Sequence, residues 1–132
     1  MEKSKKRALK LANKKVAFVG SVNEHNVPNI QAMSVVKHIG LETFYFVLSN
    51  SNIKASHYKR NWNACIYFTG GLINRGLLLE GIMKVFHDVD MINFLRKVNY
   101  KKIEENDFFV LQFIAKKGRL YRWFNIEAFE ID

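Results

Sequence analysis

The 132-residue sequence predicts a mainly β (α+β) protein, an antiparallel barrel flanked by short helices. Three observations carry that prediction. The apolar runs follow one another as α-β-β-β-α-β-β-α-β-β, without the sustained βαβ alternation of a parallel sheet. Hydrophobic residues make up 48% of the chain and aromatics 14%, with eleven Phe, which excludes disorder and favours strands. The run Thr43–Leu48 is apolar on both faces, as in a strand inside a barrel wall or under a subunit interface.

Residues 1–15, MEKSKKRALKLANKK, read as a basic helix or arm whose Leu9, Ala12 and Val16 pack on the rest of the chain. This segment carries seven Lys/Arg against one Glu, whereas the other residues carry fourteen against eleven. Most of the net charge of +9 therefore sits at the N-terminus. Such an arm binds nucleic acid or an anionic membrane, or forms a solvated helix face, the reading preferred here. Then comes a strand, VAFVGSV (16–22), a turn, NEHN (23–26), and a long strand from Pro28 to His38. That strand places Ile30, Ala32, Ser34 and Val36 on one face and Gln31, Met33 and Val35 on the other.

Gly40 breaks the strand, and Thr43–Leu48 and Asn63–Thr69 are the third and fourth, the latter ended by Gly70 and Gly71. Gly76–Phe86 is the fifth, in which Gly81 predicts a bulge or barrel corner. Asp88 caps a helix over Val89–Val98, and Phe108–Ala115 is the sixth strand. Lys117 and Gly118 turn or bend it into Leu120–Phe124, and a short tail closes a single domain over 1–132.

Several chemistries find no support. The single cysteine, Cys65, allows no internal disulfide or cysteine metal cluster and reads as a small core residue. His25, His38, His57 and His87 lack metal-ligand spacing. Ser21 and Ser34 lack a nucleophile-elbow context, Asp88 and Asp90 read as helix-start carboxylates, and no Gly-rich phosphate loop is present. There is no long apolar run and the N-terminus is charged, so a soluble, cytoplasmic protein without membrane contact is expected. A basic nucleic-acid-binding barrel of OB type needs exposed aromatics, yet Phe44, Phe46, Phe68, Phe109 and Phe113 read as core, which ranks that function third. Any enzymatic chemistry would rest on a cofactor.

The stretch from Phe44 to Phe68 is the richest in chemistry. A strand leads through Ser49, Asn50, Ser51 and Asn52 into a short basic helix bearing Lys54, His57, Lys59 and Arg60, then into a second strand. Backbone N–H groups and a lysine at a helix N-terminus can hold a phosphate. A plain crossover with a solvated basic face fits the same spacing equally well.

Five segments in order resemble the FMN-binding split-barrel proteins related to pyridoxamine 5′-phosphate oxidase, the small bacterial members above all. VPNIQAM (27–33) resembles the family's Pro-x-x-(Arg/Lys)-x-Met strand, and FYFVLSNSNIK (44–54) its strand, turn and basic segment. HYKRNWNACIYF (57–68) retains the Arg60-Asn61 pair, RGLLLEGIMKVFHD (75–88) resembles the next strand, and VLQFIAKKGRLYRWF (110–124) the closing one. The resemblance implies a six- or seven-stranded split β-barrel and a homodimer with two FMN sites at its interface. It implies that Lys54 holds the FMN phosphate, helped by Ser49, Ser51 or Asn52 beside Leu48. Gln31, Ala32 and Met33 would run along the flavin, and Arg75, Tyr121 and Trp123 of the partner would close the pocket. For Met33 and Trp123 a core position is an equal reading.

The implied activity is an FMN-dependent oxidoreductase or flavin reductase carrying electrons from NAD(P)H to a small-molecule acceptor. A non-catalytic flavin- or haem-binding module is the alternative. Oxidase activity on pyridoxamine phosphate is not expected, because no C-terminal substrate-binding Arg and His segment is matched. Gln31 stands where the family usually has Arg or Lys, Leu48 where Thr is common, Asn52 where Ser is common, and Trp62 where Pro is frequent. Two lost contacts to a charged group, at about 1.5–3 kcal/mol each, imply FMN binding weaker by about a hundredfold or more.

Overall fold

The computed structural model describes residues 2–22, 25–49, 62–71, 74–86 and 108–131. Its elements are α1 (Glu2–Ala12), β1 (Val16–Val22), β2 (Pro28–Ile39), β3 (Thr43–Ser49), β4 (Trp62–Thr69), β5 (Arg75–Phe86), β6 (Phe108–Arg122) and β7 (Asn125–Glu130). Alternation of burial along β1, with Ala17, Val19 and Ser21 inward and Val16, Phe18 and Val22 outward, gives the wall its two faces. The strands lie in the order β3-β2-β1-β4-β5-β6-β7, all antiparallel, and a further β3–β6 pairing closes six of them into a barrel. The predicted antiparallel split barrel is therefore the observed fold. The helices expected after Asn52 and over Val89–Val98 lie outside the described residues.

Long strands bend where one residue is added to a ladder. In β5 and β6 the register shifts at Glu80/Gly81, where Lys116 is the extra residue on β6. A Cβ on Gly81 would stand 2.0 Å from the Ile114 carbonyl oxygen, so only glycine allows this close approach. The corner expected at Gly81 is borne out. Of the turn or bend expected at Lys117-Gly118, no turn forms: β6 runs on to Arg122 with its irregularity at Lys116, and Gly118 makes room for the Phe129 ring. The expected tail is a strand, β7, which takes over the edge of β6 from Lys117 to Arg122 after β3 has left it at Ile114.

The core is aromatic and aliphatic. Phe44, Phe46, Phe68 and Phe113 are fully buried with Ile66, Leu77, Leu79, Met83 and Leu111. Full burial of each such side chain contributes about 1.5–3 kcal/mol. The α1 helix adds Ala8 and Ala12 to this cluster and packs against β4 and β5. Leu9 and Val16, expected to pack inward, are exposed at 36% and 48%, because Ala8, Leu11 and Ala12 form the inward stripe. Two polar contacts fasten the helix: Ser4 Oγ donates to Glu127 Oε2 at 2.5 Å, and His38 Nε2 meets Asn13 Oδ1 at 2.7 Å. Cys65 is half-buried rather than enclosed, since it sits on the outer face of β4 beside Gly20. Burial pushes its thiol pKa up. The Phe109 side chain lies outside the described residues.

Candidate functional site

A strand edge without a partner presents alternating N–H donors and C=O acceptors that something must satisfy. Such an edge exists on β2. The strand pairs with β1 along Pro28–Ser34, but with β3 only from Val35 to Ile39. A register shift between Val35 and Lys37 sends the two strands apart, and β3 continues to Ser49 paired with β6 alone. Among the described residues, the β2 backbone over 29–34 on the side away from β1 has no strand partner. The splay opens the wall beside Gln31, Ala32 and Met33.

These three residues do not share one face. Gln31 lies opposite Val19 on the inner face and is half-buried. Met33 is 4% exposed and belongs to the core cluster, which settles its side chain as packing. Ala32 lies opposite Phe18 on the outer, exposed face. The backbone of Leu48 and Ser49 ends β3; their side chains, together with Ser51, Asn52 and Lys54, lie outside the described residues.

A second group gathers at the tips of two hairpins. Arg75 pairs across the strands with Arg122, and Gly76 with Tyr121. Gly70 N–H donates to the Arg75 carbonyl at 3.0 Å, and Trp123 N–H to the Asn74 carbonyl at 2.7 Å, which ties the tips together. Tyr67 lies over Gly76, where a Cβ would strike its ring, and its centroid is 6.3 Å from that of Tyr121. Trp123 is 59% exposed at φ 55, so it is not a core residue. A bulky residue held left-handed costs about 1–3 kcal/mol, and such strain concentrates at functional positions. The strands β1 and β4 intervene between Arg75 on β5 and Gln31 on β2, three strand spacings of about 4.8 Å each. Arg75, Tyr121 and Trp123 are thus brought together, but not onto the β2 edge of their own chain.

On the outer face Glu80 bridges Arg119 at 2.8 Å. The Arg119 guanidinium is held further toward its charged form, first by a hydrogen bond to Tyr121 and then by Glu80. Among the described residues no three His, Cys, Asp or Glu side chains converge as metal ligands, and no helix is long and apolar enough to cross a membrane. The backbone edge of β2 went unnoticed in the sequence because a splay between strands depends on register, and Val35-Val36-Lys37 gives no residue-type sign of an extra residue.

A closed antiparallel barrel with one diverging strand pair and an added edge strand defines the split-barrel class. The structure superposes on a protein related to general stress protein 26 of B. subtilis (pyridoxinephosphate oxidase family) from Clostridium acetobutylicum, with a TM-score of 0.87 and 30% identity. That alignment covers 100% of this chain and 97% of the other. The chain belongs to the pyridoxamine 5′-phosphate oxidase family. The fold is shared with a heme binding protein from Mycobacterium smegmatis (TM-score 0.73, 11% identity, covering 96% of this chain and 57% of that one). It is shared also with an F420 reductase (TM-score 0.64, 14% identity, 83% and 93% covered). No family model matches the sequence, and no curated protein does.

Proposed function

We propose that this chain binds FMN and works as a flavin-dependent oxidoreductase, taking electrons from NAD(P)H and passing them to a small acceptor. The single observation that carries the reading is the β2 edge over 29–34, which has no strand partner among the described residues. Its alternating donors and acceptors beside the Gln31 amide suit the polar rim of a flat heteroaromatic ring. Lys54 lies five residues beyond the end of β3 in sequence and supplies the charge for the phosphate, with Ser49, Ser51 and Asn52 as hydrogen-bonding groups. When bound, FMN supplies the hydride and electron chemistry. The chain orients the ring along β2, neutralises the phosphate and shields the ring from water.

The pocket is completed by a second copy of the chain. The outer face of β1 and β2 exposes Val16, Phe18, Val22 and Ile30, the last at 76%. A contiguous apolar face of this kind marks an interface, and a two-fold dimer would bring Arg75, Tyr121 and Trp123 of one copy toward the β2 edge of the other. Ile30→Asp is expected to convert the dimer to a monomer in sedimentation at micromolar concentration and to weaken FMN binding with it. A wild-type monomer under those conditions contradicts this arrangement.

Titration with FMN, followed by its visible absorbance, tests the reading directly. Wild type is expected to gain a protein-bound flavin spectrum that NADH or NADPH bleaches. Lys54→Ala should weaken the binding by about 10- to 100-fold, the worth of one contact to a charged group. A protein that takes up no flavin rejects the proposal. The heme-binding relative supports a second reading, a non-catalytic module, which predicts a Soret band with hemin or tight FMN binding without bleaching.

A further inference from the structure

Basic side chains spread over a surface are solvated, but basic side chains converging on a concavity raise a local positive potential. One cleft in this structure does the latter. It has a volume of about 520 Å3 and lies between α1 and the two hairpin tips. Arg7, Lys10 and Lys14 enter it from α1 and the turn after it, Arg75 from the start of β5, and Arg122 from the end of β6. Among the described residues no carboxylate lines it, and none of the five cations forms an ion pair. Its walls also carry Leu11, Leu120 and the half-buried Tyr121.

We infer that this cleft is a binding site for a diphosphate group, carried by a nucleotide or free. Five cations, from α1, the turn after it, β5 and β6, exceed the charge of about −2 on a single phosphate and are enough to neutralise the roughly −3 to −4 of a diphosphate. The size is that of a small-ligand pocket, too small for a nucleic-acid helix. The apolar and aromatic wall gives a nucleoside ring a surface on which to rest. Arg7 and Lys10 stand three apart on one face of α1, and Lys14 follows in the turn after the helix, on the same cleft. The hairpin tips hold Arg75 and Arg122 opposite them, fixed by the Gly70–Arg75 and Trp123–Asn74 hydrogen bonds. The inference does not rest on the flavin reading, with which it shares Arg75 and Tyr121.

Calorimetric titration of the full chain with inorganic phosphate, inorganic pyrophosphate and ADP, at low and physiological salt, tests it. Pyrophosphate is expected to bind about tenfold or more tighter than phosphate, with an affinity that falls as salt rises. A further gain for ADP assigns the natural ligand to the nucleotides; equal affinities assign it to free diphosphate. The double variant Lys10→Gln/Lys14→Gln should lose about tenfold or more in pyrophosphate affinity, with unchanged far-ultraviolet dichroism and unchanged FMN binding. Equal pyrophosphate and phosphate affinities overturn the inference, as does a double variant that binds pyrophosphate like wild type. If the double variant loses FMN and pyrophosphate together, the cleft is part of the flavin site and the separate assignment falls. An oligonucleotide that binds where ADP does not also overturns it.

Discussion

Gly81→Val is expected to lower the urea midpoint far enough that little folded protein remains at 37 °C. Three backbone atoms of β6 surround the position a Cβ would take: the Ile114 oxygen at 2.0 Å, the Ile114 carbon at 2.8 Å and the Ala115 Cα at 2.9 Å. Backbone cannot rotate out of the way as a side chain can. The bulge must open, and with it the ladder that runs from Arg75↔Arg122 to Phe86↔Val110. A cost of about 3 kcal/mol or more follows. That is a large share of the roughly 5–15 kcal/mol by which a domain is stable. Gly40→Ala serves as the control. Its Cβ meets nothing within 4 Å, so only the φ of +55° opposes it, at about 1 kcal/mol. Equal midpoints for the two variants would remove the close approach as the explanation.

Phe44→Ala should cost about 3–5 kcal/mol, read from chemical and thermal unfolding. The ring is wholly buried on β3, stacks on His38 at 5.4 Å and 9°, and tilts against Phe68 and Phe113 at 5.5 and 6.4 Å. It thereby touches β2, β4 and β6, so its loss leaves a cavity that no single strand can collapse to fill. Aromatic pairing adds about 0.5–1.5 kcal/mol beyond area. Phe44→Leu, which keeps most of the volume, should recover more than half of the loss. A variant as weak as Phe44→Ala would point to the ring contacts rather than the void.

The strands were legible where alternation and punctuation agreed. Pro28 opens β2, Gly70 and Gly71 follow β4, and Gly81 marks its bulge, each for a reason visible in one residue. The errors share a cause. Glycine at 118 suggests a turn or bend, whereas here it accommodates a ring from β7, a strand invisible until β6 is known to be long. Of the expected inward residues Leu9, Ala12 and Val16, only Ala12 is buried, because Ala8, Leu11 and Ala12 form the inward stripe. Met33 was legible as core or site, and packing decided for core. The basic N-terminal run was legible as charge, but its convergence with Arg75 and Arg122 follows from the path of the helix across the hairpin tips, which pattern does not encode.

The β3–β6 seam has a consequence for how the chain folds. Its partners, such as Phe46 and Leu111, come from opposite halves of the sequence, whereas β1–β2, β4–β5 and β6–β7 pair near neighbours. Loop-closure entropy must be overcome before distant pairs reward it. On a ribosome the first three strands emerge well before β6 exists, leaving β3 with one edge bare and Phe44, Phe46 and their neighbours waiting for cover. Folding should therefore run on the millisecond-to-second scale typical of non-local β topologies, with aggregation as its competitor until that last long strand arrives.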